Sequence, residues 1–126
     1  MRKLGTKLKV LGHDVTIPFS AERKIPRSYW DNLKKTNVER FVKEKGSASK
    51  RYFNKIKNSE AILVFNPDKN GVKNYIGGNT LMEIAIAFEQ NKKIFVLNEL
   101  PEESGFHDEL IMLRPVCLKG DLTKIR

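Results

Sequence analysis

The chain has 126 residues, 40% hydrophobic and 31% charged, which is long enough for one domain with a core and excludes wholesale disorder. No run approaches membrane-spanning length, and the basic residues 1–10 are followed by no apolar core of a signal peptide, so no membrane partner is expected. The net charge of +9 is lopsided: residues 1–58 carry 16 Lys/Arg against 5 Asp/Glu, and residues 59–126 carry 8 against 10, a gradient that suits a phosphorylated small molecule, a nucleic acid or simply a solvated lysine-rich surface.

Residues 1–126 read as one unit, without repeat, linker or low-complexity tract. The first 11 residues are expected to be a helix, with Leu4, Leu8 and Leu11 four and three apart. Gly12 fits the position past its end, and residues 13–18 alternate into a strand stopped by proline. Residues 21–27 make a polar loop. Residues 28–59 have helical periodicity with a break expected at 46–49. Trp30, Leu33, Val38, Phe41 and Val42 form one apolar stripe there, and Tyr52, Phe53 and Ile56 the next. Residues 61–65 are a continuous apolar run of the kind buried on both faces of a parallel sheet. Residues 80–90 are helical, 93–98 a second buried strand, 106–113 a short helix and 116–118 a last strand. This alternation argues for an α/β fold, a parallel sheet between two helical layers. Such sandwiches usually open on a strand whereas this chain opens on a helix, so a first strand is expected upstream of Met1. The lone Cys117 excludes an internal disulfide and fits a reducing compartment, which points to the cytoplasm.

In parallel α/β sheets a ligand sits beyond the carboxyl ends of the strands. Those ends are Pro18-Phe19-Ser20, Asn66-Pro67-Asp68 and Asn98-Glu99. Asn66 and Asn98 both donate and accept, which suits sugar hydroxyls or a base edge, although loop asparagines as often satisfy their own backbone. Gly77 and Gly78, followed by Asn79, let a ligand come close to the chain at the turn into the helix. Glu83 is one carboxylate in an otherwise apolar stretch. With Thr80 three residues before it, it has capping-box spacing and a purely structural role. The same place favours an ionised carboxylate, which beside an electron-poor sugar carbon acts as a nucleophile. The leaving group then needs a proton donor, and Asp68 is nearest in chain order. Arg23, Lys24 and Arg27 are candidates to hold a phosphate, or else form a solvated basic loop.

The stretch Ser59-Glu-Ala-Ile-Leu-Val-Phe-Asn66, then Gly78-Asn-Thr-Leu-Met-Glu-Ile-Ala-Ile-Ala87, then Lys93-Ile-Phe-Val-Leu97 resembles the nucleoside 2-deoxyribosyltransferase-like superfamily, which includes nucleoside-monophosphate N-glycosidases. Leu11-Gly-His-Asp-Val-Thr-Ile-Pro18 fits the second strand of that family. The resemblance implies a flavodoxin-like three-layer sandwich that cleaves or transfers at the N-glycosidic bond of a (deoxy)nucleoside or its monophosphate. It implies Glu83 as nucleophile and Asp68 as the acid. Substrate contacts would come from Asn66, Gly77, Gly78, Asn79 and Asn98. A neighbouring subunit would complete the site, hence a homodimer.

Gly77 stands where active transferases carry an aspartate, so a non-catalytic nucleotide-binding module of the same fold is the alternative. Nucleic acid ranks last among partners. Tyr52 and Phe53 interleave with Lys50, Arg51, Lys55 and Lys57, but their helical spacing with Ile56 marks them as core. His13 and His107 are far apart and belong to no metal-ligand pattern, so neither a metal nor another cofactor is expected.

Overall fold

The computed structural model describes residues 2–17 and 25–126, and the chain divides into two compact units, Met1–Lys55 and Ile56–Arg126. Among the described residues no helix is long and apolar enough to cross a membrane.

In the first unit, α1 (Arg2–Val10) occupies the expected helical span. It closes at Gly12, whose φ of 93° is left-handed. The Gly12 N–H donates to Lys9 O at 3.0 Å and the His13 N–H to Leu8 O at 3.1 Å. This paired closure requires a residue that tolerates positive φ, and glycine does so without strain. Residues 13–17 form no strand, which overturns the strand expected there; Pro18 lies outside the described residues. The alternation survives in the packing, since Val15 and Ile17 are half-buried and Asp14 and Thr16 exposed. A Cβ on buried Gly5 would stand 3.5 Å from Ile17 Cγ2 and 3.7 Å from Val15 Cγ1. The apolar side of this segment therefore packs on α1. Period-two alternation reports a half-buried segment and is silent on whether a strand lies beside it.

Two helices follow, α2 (Arg27–Thr36) and α3 (Val38–Lys57). The break falls at Asn37 and not at 46–49. The Asn37 N–H closes α2 on Leu33 O at 2.8 Å, and its Oδ1 accepts from the Arg40 N–H at 3.1 Å, capping α3. α3 runs unbroken through Gly46, where glycine costs a helix only about 1 kcal/mol. Leu33 is buried, Trp30 and Phe41 half-buried. Trp30 meets Phe41 edge-on at 6.4 Å and Tyr29 at 5.0 Å, with Lys45 Nζ 4.9 Å from the Trp30 ring. Val38 and Val42 are 56% and 63% exposed and leave the expected stripe. Because the chain turns at Asn37, a spacing counted across it no longer marks one helix face.

The second unit holds a sheet of β1 (Ala61–Val64), β2 (Lys93–Val96) and β3 (Val116–Cys117), all parallel and side by side in chain order. Val64 pairs with Val96 and Val96 with Cys117, so the carboxyl ends are level. α4 (Gly78–Glu89) links β1 to β2 and packs on both, and α5 (His107–Met112) lies between β2 and β3. The fold is α/β with a parallel sheet, as the alternation of elements predicts. Val64, Ile76, Ile84, Val96, Leu110 and Leu118 make the core, each stabilising the fold by about 1.5–3 kcal/mol through burial. Ile94, Phe95 and Val96 of β2 are all buried, whereas in β1 only Val64 is, and Ala61, Ile62 and Leu63 are half-buried. The apolar run of β1 thus overstates its burial.

Candidate functional site

Level strand ends bring Asn66 and Asn98 together, as their placement after β1 and β2 predicts. Asn66 is fully buried. Its Nδ2 donates to Glu99 O at 2.9 Å and Asn74 O at 3.4 Å, while its Oδ1 accepts from the Asn98 N–H at 3.0 Å. Asn98 Nδ2 donates in return to Asn66 O at 3.1 Å. Among the described residues no buried side-chain polar atom lacks a partner. The Asn66 amide is therefore a clamp between the two strand ends, its hydrogen-bonding capacity taken up by backbone.

The loop from β1 to α4 is folded back on itself. The Lys69 N–H donates to Val72 O at 3.0 Å and the Val72 N–H to Lys69 O at 2.9 Å. Asn70 and Gly71 between them have φ of 53° and 76°. This is the two-residue turn that tight hairpins favour, and Asn-Gly is its strongest sequence signature. Asp68 is exposed, and its Oδ1 accepts from the Asn74 N–H at 2.9 Å. Tyr75 is tied by its N–H to Pro67 O at 3.1 Å, and Lys69 Nζ stands 5.7 Å from its ring. A Cβ on Gly77 would come within 3.2 Å of Tyr75 Oη. That position is thus small because the tyrosine ring lies against it. Around Gly78 the space is open.

α4 begins two residues earlier than expected. Its N-cap is Gly77, with no side-chain capping bond. Thr80 is consequently the third helical residue and Glu83 the sixth, which overturns the capping box: a carboxylate must sit at the third position to reach back to the cap amide. Glu83 also lies past the first turn, where the helix dipole acts most strongly. It is half-buried on the flank between buried Ala87 and exposed Met82. Asn79, four residues before Glu83, lies one turn nearer the helix start on the same face.

Arg23 and Lys24 lie outside the described residues. Arg27 is the first residue of α2 and not part of a loop; its Nε meets Asp31 Oδ1 at 3.4 Å in an exposed pair. Two rim features escape the sequence reading. Asn74, left-handed at φ 56°, joins Asp68 to Asn66, and nothing in its immediate sequence announces that role. Lys119, just past β3, pairs with Glu99 at 3.6 Å; its signal is its place at a strand's carboxyl end, the same one that marks Asn66 and Asn98. Cys117, at the end of β3, is half-buried. Burial pushes its thiol pKa up, and the Glu99 carboxylate adds to the shift. Among the described residues no group of three or more His, Cys, Asp or Glu side chains converges as a metal site. No protein family, curated protein or solved structure matches the chain.

Proposed function

We propose that the carboxyl rim of the sheet in Ile56–Arg126 binds a nucleoside or nucleoside monophosphate, and that Glu83 cleaves or transfers at its N-glycosidic bond. The observation that carries this reading is the start of α4 at Gly77. It removes Glu83 from a capping role and leaves the first-turn amides without a side-chain cap, which suits a phosphate or hydroxyl oxygen. Glu83 lies one turn further along the same helix face as Asn79.

In the reaction a Glu83 carboxylate oxygen bonds to the anomeric carbon as the carbon–nitrogen bond breaks and its electron pair leaves with the base. Asp68, whose Oδ1 is held by Asn74, gives the base a proton through Oδ2. Water, or an N–H nitrogen of a second base, then displaces the ester, its proton passing to the Asp68 carboxylate, so that the Glu83 carboxylate and the Asp68 acid are both restored. Asn79 and Asn98 contact the substrate, and Asn66 acts through them by fixing the strand ends. A second copy completes the site: α4 exposes Met82 at 46% and Phe88 at 43%, an apolar face that a partner would cover. A cytoplasmic location accompanies this reading.

One observation favours the binding-only alternative. Ligand crevices in open parallel sheets form where strand order reverses, and β1-β2-β3 runs in chain order without reversal. Incubation with deoxynucleosides and their monophosphates, followed by chromatography of free base, separates the readings. Glu83→Gln should abolish base release while retaining binding, and Asp68→Asn should slow it by roughly 10²–10⁴-fold. Unchanged turnover in Glu83→Gln refutes the nucleophile assignment. Saturable nucleotide binding without release selects the alternative, and absence of both ends both.

A further inference from the structure

The first unit is strongly basic. Met1–Lys55 holds 15 Lys/Arg against 5 Asp/Glu. Two of those carboxylates are already engaged: Asp31 with Arg27 at 3.4 Å, and Glu44 with Arg40 at 3.3 Å and Tyr29 Oη at 3.1 Å. Helix geometry sorts the cations of α3. Arg40, Lys43, Lys50, Arg51 and Lys55 are all exposed on α3. At 100° per residue they fall within an arc of about 140°, along about 22 Å of helix. Between them lie Ser47 and Asn54, also exposed, and the half-buried Glu44, whose carboxylate meets Arg40. Glu39 is at the margin of this arc. Phe41, Tyr52 and Phe53 are half-buried on the opposite side.

We propose that this face of α3 binds double-stranded nucleic acid through its phosphates, without reading base sequence. A duplex presents about one charge per 1.7 Å of axis, and its neutralisation by Lys and Arg releases counterions. Ser47, small and exposed between the cations, lets the helix approach the phosphate ridge closely. With the aromatic rings turned to the other side, stacking on unpaired bases is not the mode of contact. The inference rests on the first unit's own residues and is independent of the glycosidic reading.

The test is fluorescence anisotropy with the full chain and a labelled 20-bp DNA duplex. If about four phosphates are neutralised, affinity falls roughly 150-fold between 50 and 200 mM NaCl. Duplexes of unrelated sequence should bind alike, and an RNA duplex of equal length reports whether the helix form matters. Lys43→Glu/Lys50→Glu should weaken binding at least about ten-fold at low salt and lower the salt slope by about two. Lys43→Gln/Lys50→Gln, which removes charge without reversing it, should show a smaller loss. Arg114→Glu/Lys124→Glu, matched in net charge, should leave affinity and slope unchanged. The proposal is overturned by absence of saturable duplex binding at 50 mM NaCl, by equal losses in the two charge-matched glutamate variants, by preference for a single strand, or by tighter binding to phosphatidylserine vesicles than to duplex.

Discussion

Replacing Asn66 by alanine tests whether the rim of the sheet is held by one side chain. The substitution strands the Asn98 N–H at 3.0 Å and the Glu99 carbonyl at 2.9 Å, and loses the longer bond to the Asn74 carbonyl at 3.4 Å, at a position with no exposed surface. Each unsatisfied buried group costs about 1–3 kcal/mol, so the two closest bonds alone should cost about 2–6 kcal/mol, a large share of the 5–15 kcal/mol typical of a domain. A loss of about 3 kcal/mol lowers Tm by roughly 12–24 °C for a unit of this size. Far-UV circular dichroism during heating and in urea measures it. Trp30, the single tryptophan, lies in Met1–Lys55, so its fluorescence reports whether the damage stays in the second unit. Asn98→Ala is the internal standard. It removes only the half-buried Nδ2 bond to Asn66 O at 3.1 Å and should cost about 1 kcal/mol. Asn66→Asp keeps the shape but points an oxygen at two carbonyls, and should destabilise at least as much as alanine does. The clamp is refuted if Asn66→Ala costs less than about 1 kcal/mol or no more than Asn98→Ala.

Gly71→Ala forces a Cβ into a left-handed turn position of φ 76° and should destabilise the Lys69–Val72 hairpin by about 1 kcal/mol, read as faster amide exchange at Val72. Exchange as slow as in the parent would show that the turn adapts without strain. The Cys117 thiol, raised above its ordinary 9.0 by burial first and the Glu99 carboxylate second, should alkylate more slowly than a free thiol at pH 8, and Glu99→Gln should speed the reaction only in part. Because the unfolded chain releases this proton first, stability should fall as pH rises from about 9 upward, and Cys117→Ser should flatten that slope. An unchanged slope in Cys117→Ser would assign the alkaline loss to other groups.

Local chemistry explains what the sequence disclosed. The α1 end at Gly12, the buried run of β2 and the order of helices and strands from β1 onward are legible because capping, burial and element length act over a few residues. The break at Asn37 is not, since the conspicuous Gly46 and serines draw it away. Yet a glycine inside a long helix costs less than the packing of that helix returns, while Asn37 serves as both stop and cap. The period of residues 13–17 was read correctly and its cause was not, because a helix and a sheet can each bury the same alternating side chains. At the rim, Asn66 and Asn98 were placed by strand logic alone. That Asn66 is a brace could not be foreseen, because its partners Asn74 and Glu99 come from two different loops. The start of α4 is hidden because Thr80 and Glu83 imitate a capping box that Gly77, with no side chain to advertise it, supersedes.

The uninterrupted order of β1, β2 and β3 bears on how the sheet is made. Each new strand adds to the edge its predecessor left open, after one intervening helix, so no strand waits for a later one to be inserted between neighbours. Short sequence separations of this kind favour rapid assembly, and growth can follow the direction in which a ribosome releases the chain. A nascent chain interrupted before Val116 would already hold β1 paired to β2, with α4 laid across both.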